Sequence, residues 1–575
     1  MNEENVQVLI VGGGIVGLSA AAFLAARGTS VQLVERRPTA LAHPRARVIN
    51  PRTVELYRQI GLEAAIAAAR SRDYYSSGLV IRAETLMATE RVTDEMQASP
   101  APDRLDNVTP ASWIPIDQDE LERLVRDRAA ELGADIRFST ELTGFSQAAA
   151  GVTAQVRQVG TATSRTVRAD YLIAADGHRS EIRSQLGIGL TGPGVLDHII
   201  CFVFAADLSG PLRGRHLAVG HFDRPRPGTS VISDREGRWV LSMPYRPDQG
   251  ESPESFTAER CRQLARDAVG VPDLDLTLVS QLRDDVTLLG YEVSAQVAER
   301  FKAGRVFLAG DAAHAMPPAG AFGAGTGIGD AHNLAWKLTA VLSGQAEPEL
   351  LTSYDTERRP VAAFTVGQSL HLLRKRTSRP LPFADGGPPV EYDEVLYGYR
   401  YPGGALLPEP GTDDRAAIPP ESLTGAPGTR APHIPLERAG QPLSSLDLFG
   451  SEPVLLCGAD DQDWASAAAR LRAESGLPLS ICRLGAEVAD PAGQAAIRYG
   501  IGSAGVSLIR PDGFVAWRAA GPPQADPAQV LRSVLVRCWL APVSVAGAWQ
   551  AGQAEEPGWA GNQGQSRTAV LAERG

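Results

Sequence analysis

The chain has 575 residues, 43% hydrophobic and 21% charged, which excludes a disordered or fibrous protein and allows three or four domains of about 100–200 residues. The net charge of −11, from 56 basic and 67 acidic residues, argues against a nucleic-acid partner. Five scattered cysteines without a CxxC and nine histidines without an HxxxH leave neither a disulfide framework nor a metal site to be expected.

Residues 6–11 (VQVLIV) are β-branched and apolar and predict a buried parallel strand. Residues 15–27 predict a helix ended by Gly28, and residues 31–35 a second strand, completing a β–α–β unit. The apolar stretch 6–26 is not read as a signal peptide, because Glu3 and Glu4 stand where basic residues belong and Gly12, Gly13, Gly14 and Gly17 interrupt it. No other run reaches about 18–20 apolar residues, so no membrane partner and a cytoplasmic location are expected.

Residues 118–132 read as an amphipathic helix, and 166–175 as a strand leading into Asp176-Gly177. Alternating stretches at 198–207, 217–222 and 229–245 predict an antiparallel sheet inserted into the α/β part. A strand at 305–310 and a helix at 326–343 restore the first pattern, with Ile328, Ala331, Leu334, Ala335, Leu338 and Val341 on one apolar face. The expected division is a discontinuous first domain (1–75, 100–190, 290–375), a second domain (76–99, 191–289), a Pro- and Gly-rich linker (376–435), a third unit (436–543) and a flexible tail (544–575).

Three motifs carry chemistry. Gly12-Gly13-Gly14-Ile15-Val16-Gly17 is a GxGxxG between a strand and a helix: Gly12 permits the turn, Gly14 admits a diphosphate to the backbone, and Gly17 lets helix and strand approach. Glu35 follows Gly17 by 18 residues, at the end of the next strand, where a carboxylate accepts ribose hydroxyls and repels a 2′-phosphate. The second motif, residues 174–187, places Asp176-Gly177 at a strand end with Arg179 and Arg183 on the next turn, suited to an anionic ligand. In the third, residues 309–338, Asp311 follows a strand, and Pro317, Pro318 and the glycines between 320 and 329 form a backbone cradle before a helix start near Thr326. Such a helix end would stabilise negative charge on a reduced flavin.

In this order and spacing the three motifs resemble the class A flavoprotein monooxygenases, the FAD-dependent aromatic hydroxylases of the p-hydroxybenzoate hydroxylase fold. The similarity extends to residues 44–62 and 113–125 and is nearest to polyketide-tailoring members such as the aklavinone, angucycline and tetracycline hydroxylases. The fold class it implies is α/β: a Rossmann-like FAD-binding domain, an inserted antiparallel substrate domain, and a C-terminal thioredoxin-like domain without redox cysteines. By position, Gly12, Gly14 and Gly17 match the dinucleotide fingerprint, Glu35 and Arg36 the ribose end, Arg45 the diphosphate arginine, Gln118 a flavin side-chain contact and Leu142 the adenine strand. Asp176 and Gly177 match the DG motif, Asp311 the ribityl aspartate, and Pro318, Gly323, Gly325, Thr326 and Gly327 the segment facing the isoalloxazine. Ala321, Gly325 and Gly329 depart from the Gly, Asn and Gln common in relatives, which bears on flavin positioning.

The resemblance further implies tightly bound FAD, NADPH or NADH as reductant, O2 as co-substrate and a flavin C4a-hydroperoxide that oxygenates a small, electron-rich aromatic partner, in the subgroup a polycyclic polyketide. A Baeyer–Villiger oxygenase on the same fold stays open, as does a non-oxygenating flavoprotein; the chain is expected as a monomer or homodimer. Phe202 and Phe204 share one strand face, and Trp239, Leu241, Met243 and Tyr245 another; these suit either an aromatic substrate or the core of the sheet. His221, Tyr245 and Arg374 are candidate polar contacts to a phenol, although a single histidine or arginine is more often structural.

Overall fold

The structure, a computed structural model, describes residues 3–39, 46–71, 79–90, 106–235, 237–280, 287–377, 386–411 and 414–539. Arg45, residues 91–99 and the 544–575 tail lie outside these.

The first sheet has a parallel centre: Val306–Leu308, Ser164–Ala174, Glu3–Val11, Val31–Val34 and Asp135–Arg137, in that order. The central strands Glu3–Val11 and Ser164–Ala174 turn apolar toward their C-terminal ends, where both faces are covered; Val8, Leu9, Ile10, Leu172 and Ile173 are fully buried. The helix Ile15–Ala25 packs against both Gly323–Leu342 and Gln118–Glu131. Ten of its eleven residues are buried, so it has no solvent face. The hairpin Thr140–Ala148 and Gly151–Gln158 extends the sheet from Ser164–Ala174.

The second sheet runs His314–Ala315, Leu288–Ala298, Leu190–Ala205, Arg238–Tyr245, Thr229–Arg235, Leu217–Phe222 and Leu79–Ala83. Its pairs are antiparallel except the last, Leu217–Phe222 with Leu79–Ala83. The helix Ala258–Val269 covers one face. Because His314–Ala315 belongs to the third motif, the edge of this sheet is fixed directly beside the cradle.

A third, four-stranded sheet (Ser480–Arg483, Val454–Cys457, Val506–Ile509, Val515–Ala519) carries the helices Asp463–Ser475 and Pro527–Trp539, which pack on each other. Cys457 ends its strand buried, and all five cysteines are buried thiols outside any disulfide. The segment before this unit is largely irregular, yet it holds the short helix Tyr392–Tyr397 and buries Tyr397, Tyr401 and Arg430. Arg430 pairs with Glu55, tying this segment to the first unit. No helix among the described residues is long and apolar enough to cross a membrane.

Candidate active site

Gly12 ends the first strand with φ +112°, and a Cβ there would stand 2.2 Å from the Ala175 carbonyl oxygen. A Cβ on Gly17 would stand 1.9 Å from the Gly12 oxygen. The strand ends of the first and second motifs and the first turn of the helix therefore meet with no room for a side chain. Gly14 caps that helix with no side-chain bond to its free N–H groups, and nothing lies within 4 Å of where its Cβ would point.

Glu35 is 4% exposed and accepts from the Gly13 N–H at 2.6 Å, the Arg37 N–H at 2.8 Å and Arg37 Nε at 2.9 Å. Burial pushes its carboxyl up, and these donors outweigh it, leaving the group below its ordinary value and ionised. Arg37, not Arg36, grips this carboxylate; Arg36 is exposed beside it.

Asp176 follows Ala175 into the same crevice. Its Oδ1 is buried without a hydrogen-bond partner among the described residues, while Oδ2 accepts from the Ile182 N–H at 3.3 Å. Burial holds its carboxyl above the ordinary value. Gly177 turns the chain at φ +86°. Arg183 is not turned to a ligand as expected: it donates to the Ala312 and His178 carbonyl oxygens at 2.9 and 3.1 Å, so it joins the second motif to the third. Arg179 is exposed.

The third motif closes on the first through Val16. Cβ atoms on Gly310 and Gly327 would lie 2.8 and 2.6 Å from Val16 Cγ2, and Gly327 also abuts the Gly310 Cα at 2.9 Å. This contact draws the helix start back to Gly323, three residues before the expected Thr326, against the low helix propensity of glycine. Asp311 and Pro318 are exposed at the cradle, and Thr326 Oγ1 donates to the Phe322 oxygen at 2.9 Å. Gly325 and Gly329 line a cavity of about 40 Å³ with Asn50, Thr53 and Arg358. Ala321, in the turn before, is held at φ +54°.

Gln118 opens its helix; its Nε2 donates to Glu122 Oε1 at 2.8 Å and its Oε1 accepts from the Ala46 N–H at 3.3 Å, so it anchors the residue after Arg45. Leu142 is half-buried on the hairpin whose Thr140 N–H donates to the Glu35 carbonyl oxygen at 2.9 Å. An open Gly14, an orphaned Asp176 oxygen and a glycine-rich cradle with Asp311 exposed beside it together fit a dinucleotide that crosses all three motifs. No cluster of His, Cys, Asp or Glu suited to a metal exists among the described residues.

The second sheet corrects one expectation. Its register sets Phe202 opposite Leu241, Phe204 opposite Trp239 and Ile200 opposite Met243, so the two strand faces form one continuous face of the sheet. That face lies beneath Ala258–Val269 in a cluster with Cys261, Ala265 and Ala268, where Phe202, Phe204, Trp239 and Met243 are 0%, 0%, 6% and 1% exposed. They form the core of the sheet and leave no surface for a ligand. Tyr245 lies at the end of the same face, with ring centroids 5.5 Å from His198 and 6.2 Å from Phe256, and burial raises its phenol above the ordinary value.

The opposite face carries a buried apolar cluster of Cys201, Val203 and Val240 and, beside it, a half-buried polar row of Arg82, His221, Ser230 and Ser242. Arg82, His221, Ser230, Ser242 and Cys201 stand in register across five strands. The strand of Ser230 ends near Asp234, whose carboxylate meets Arg47 of the first unit at 3.5 Å, and the Arg47 guanidinium also donates to the Ser233 and Asp234 carbonyls. Arg374 is half-buried near the end of Ser353–Thr377. Arg37, Val16, Asp330 and Arg358 were not expected at the site; a polar stripe at 330, 333 and 337, spaced for one helix face, was the available signal for Asp330.

Comparisons with known proteins agree with this geometry. A family model described as FAD binding domain matches residues 5–369, and one described as aromatic-ring hydroxylase, C-terminal, matches residues 424–542. Aklavinone 12-hydroxylase of Streptomyces purpurascens is 41% identical over 93% of this chain and 99% of its own. Tetracenomycin B2 monooxygenase-dioxygenase of Streptomyces olivaceus is likewise 41% identical over 93% and 99%. Among solved structures, aklavinone-11 hydroxylase in a ternary complex with FAD and aklavinone superposes with a TM-score of 0.85 at 38% identity, over 94% of this chain and 100% of that one. The chain thus belongs to the FAD-dependent aromatic-ring and polyketide hydroxylases, a family of flavoprotein monooxygenases.

Proposed function

We propose that this protein uses NADPH or NADH and O2 to hydroxylate a polycyclic aromatic polyketide held between the polar row of the second sheet and the cradle. Bound FAD supplies the redox and oxygen chemistry. Glu35 and the uncapped N–H groups after Gly14 would hold its ribose and diphosphate, Asp176 and Asp311 its diphosphate-to-ribityl stretch, and the helix start at Gly323 the ring.

The observation that carries the substrate reading is the contrast between the two sheet faces. One face is sealed by a helix; the other sets Arg82, His221, Ser230 and Ser242 in one row. Such a row can bind several ring oxygens at once, as a hydroxylated polycycle requires. The His221 imidazole can accept a phenol proton, and Arg82 alongside it stabilises the oxygen left negative. Closing the ring against both walls keeps water out and fixes its distance from the flavin. The relatives named for aklavinone and tetracenomycin support this substrate class.

The test is oxidation of NADPH and NADH by purified holoenzyme with a panel of polyketide-derived phenols and quinones under ¹⁸O2. Stimulated oxidation and one labelled oxygen on a ring carbon are expected. A labelled lactone would indicate a Baeyer–Villiger oxygenase instead, and no stimulation by any ring compound would overturn the substrate class.

A further inference from the structure

Behind the cradle lies a water-excluded set of charges. Lys337, Arg358 and Arg510 face Asp330, Glu357 and Asp512, and each of the six is at most 2% exposed. Three cations thus balance three anions, as an interior demands.

At the cradle end, Asp330 Oδ2 accepts from the Gly310 N–H at 3.2 Å and from His314 Nε2 at 2.7 Å. Its Oδ1 accepts from Arg358 Nε at 2.8 Å, and Arg358 Nη2 donates to the Thr326 carbonyl at 3.0 Å. One carboxylate–guanidinium pair therefore grips the strand end beside Asp311 and the first turn of the cradle helix together.

At the far end the groups belong to the C-terminal unit. Arg510 makes a bidentate bond to Glu357 at 2.8 and 2.7 Å and also binds Asp512. Glu357 precedes Arg358 on the long helix and also accepts from Lys337 at 2.7 Å and Asn333 at 2.8 Å. The Tyr401 hydroxyl lies 3.4 Å from both Asn333 Nδ2 and Arg358 Nη1. Asp330, Asn333 and Lys337 recur at i, i+3 and i+7, so one face of the cradle helix carries the contact. The Arg510 guanidinium lies over Trp336 and Tyr401 at 5.2 Å from each ring.

We propose that the C-terminal unit is a positioning element of the FAD site, acting from Arg510 through Glu357, Arg358 and Asp330 on the backbone at Gly310 and Thr326. A thioredoxin-like unit without redox cysteines then holds the two arms of the cradle against each other. Arg510 touches no cofactor, so its effect on the flavin passes through the buried charges. The inference rests on the assignment of FAD to the cradle.

The test compares wild type, Arg510→Met, Arg510→Lys, Tyr401→Phe and Asp330→Asn by FAD dissociation constant, flavin visible spectrum and flavin midpoint potential, with circular dichroism as the check on folding. Asp330→Asn is expected to weaken FAD binding at least tenfold and to shift the spectrum. Arg510→Met is expected to weaken it several-fold with an altered potential, partly restored in Arg510→Lys. Tyr401→Phe keeps every charge and is the arm that decides if Arg510→Met fails to fold; a two- to fivefold weakening is expected. Folded Arg510→Met with wild-type affinity, spectrum and potential, or Tyr401→Phe indistinguishable from wild type when Arg510→Met does not fold, overturns the proposal. A wild type that binds no FAD overturns the cofactor assignment, and the inference with it.

Discussion

In the proposed function, the cradle and the polar row of the second sheet would recognise their ligands by different means. At the cradle, Gly12, Gly17, Gly310 and Gly327 bring backbone within touching distance of backbone or of Val16, so its shape is set where side chains are missing. On the sheet, Arg82, His221, Ser230 and Ser242 project from a scaffold whose other face is an independent core. The first arrangement is rigid and tolerates little change; the second lets a family keep its fold and alter its substrate by exchanging a few side chains.

The largest effect expected from this contrast is at the cradle. Gly17→Ala forces a Cβ to within 1.9 Å of the Gly12 oxygen. It should cost on the order of 3 kcal/mol or more and yield protein without FAD. Stoichiometric FAD in that variant would show that the approach is not needed.

The two sheet faces can be separated by a pair of variants. Phe202→Ala removes a fully buried ring and should cost about 3–5 kcal/mol in denaturant unfolding, without a specific change in KM among molecules that remain folded. His221→Ala should keep stability within about 1 kcal/mol and raise KM for the aromatic substrate roughly tenfold, with a changed pH profile. The reverse pattern would exchange the roles assigned to the two faces.

The charges behind the cradle add a pH dependence. Burial pushes the carboxyls of Glu55, Asp330, Glu357 and Asp512 up, but the facing cations outweigh it and hold all four below their ordinary values of 4.5 or 3.8. Below about 4.5 these carboxyls bind more protons in the unfolded chain than in the folded one, so the stability they contribute is full above that pH and is lost as pH falls through the lowered values. Burial also lowers the imidazoles of His332 and His433, the latter to about 4, so the unfolded chain takes up protons there first. The denaturation midpoint should therefore begin to fall below about pH 6.5 and drop more steeply below about 4.5; a level midpoint down to pH 3 would contradict the ion pairing.

The smallest effect concerns Ala321, held at φ +54° where glycine is unstrained. Ala321→Gly should stabilise the holoenzyme by about 1 kcal/mol or leave it unchanged, since relief of strain opposes a more flexible unfolded chain. Loss of stability would mean that the alanine methyl makes a contact of its own.

Much of the cradle is legible in the sequence because its requirements are local. A glycine spacing between a strand and a helix, an acid ending the next strand and a Gly-Asp after a third strand each lie within a few residues. The choice between the two faces of the second sheet is not legible in the same way. Alternation divides Phe202, Phe204, Trp239 and Met243 from Cys201, Val203, Val240 and Ser242, but does not say which set meets the helix; the larger apolar set takes the core. Asp330 and Arg358 lie 28 residues apart on different helices, so only packing brings them together. The cradle helix begins at Gly323 because contact with Val16 and Gly310 outweighs propensity, which no local rule weighs.

The most direct test of the account is the absorbance of the purified, folded chain, followed by denaturation and quantification of the released cofactor. Yellow protein releasing one FAD per chain, lost in Gly17→Ala, is expected. Folded, colourless protein that does not take up added FAD would contradict it.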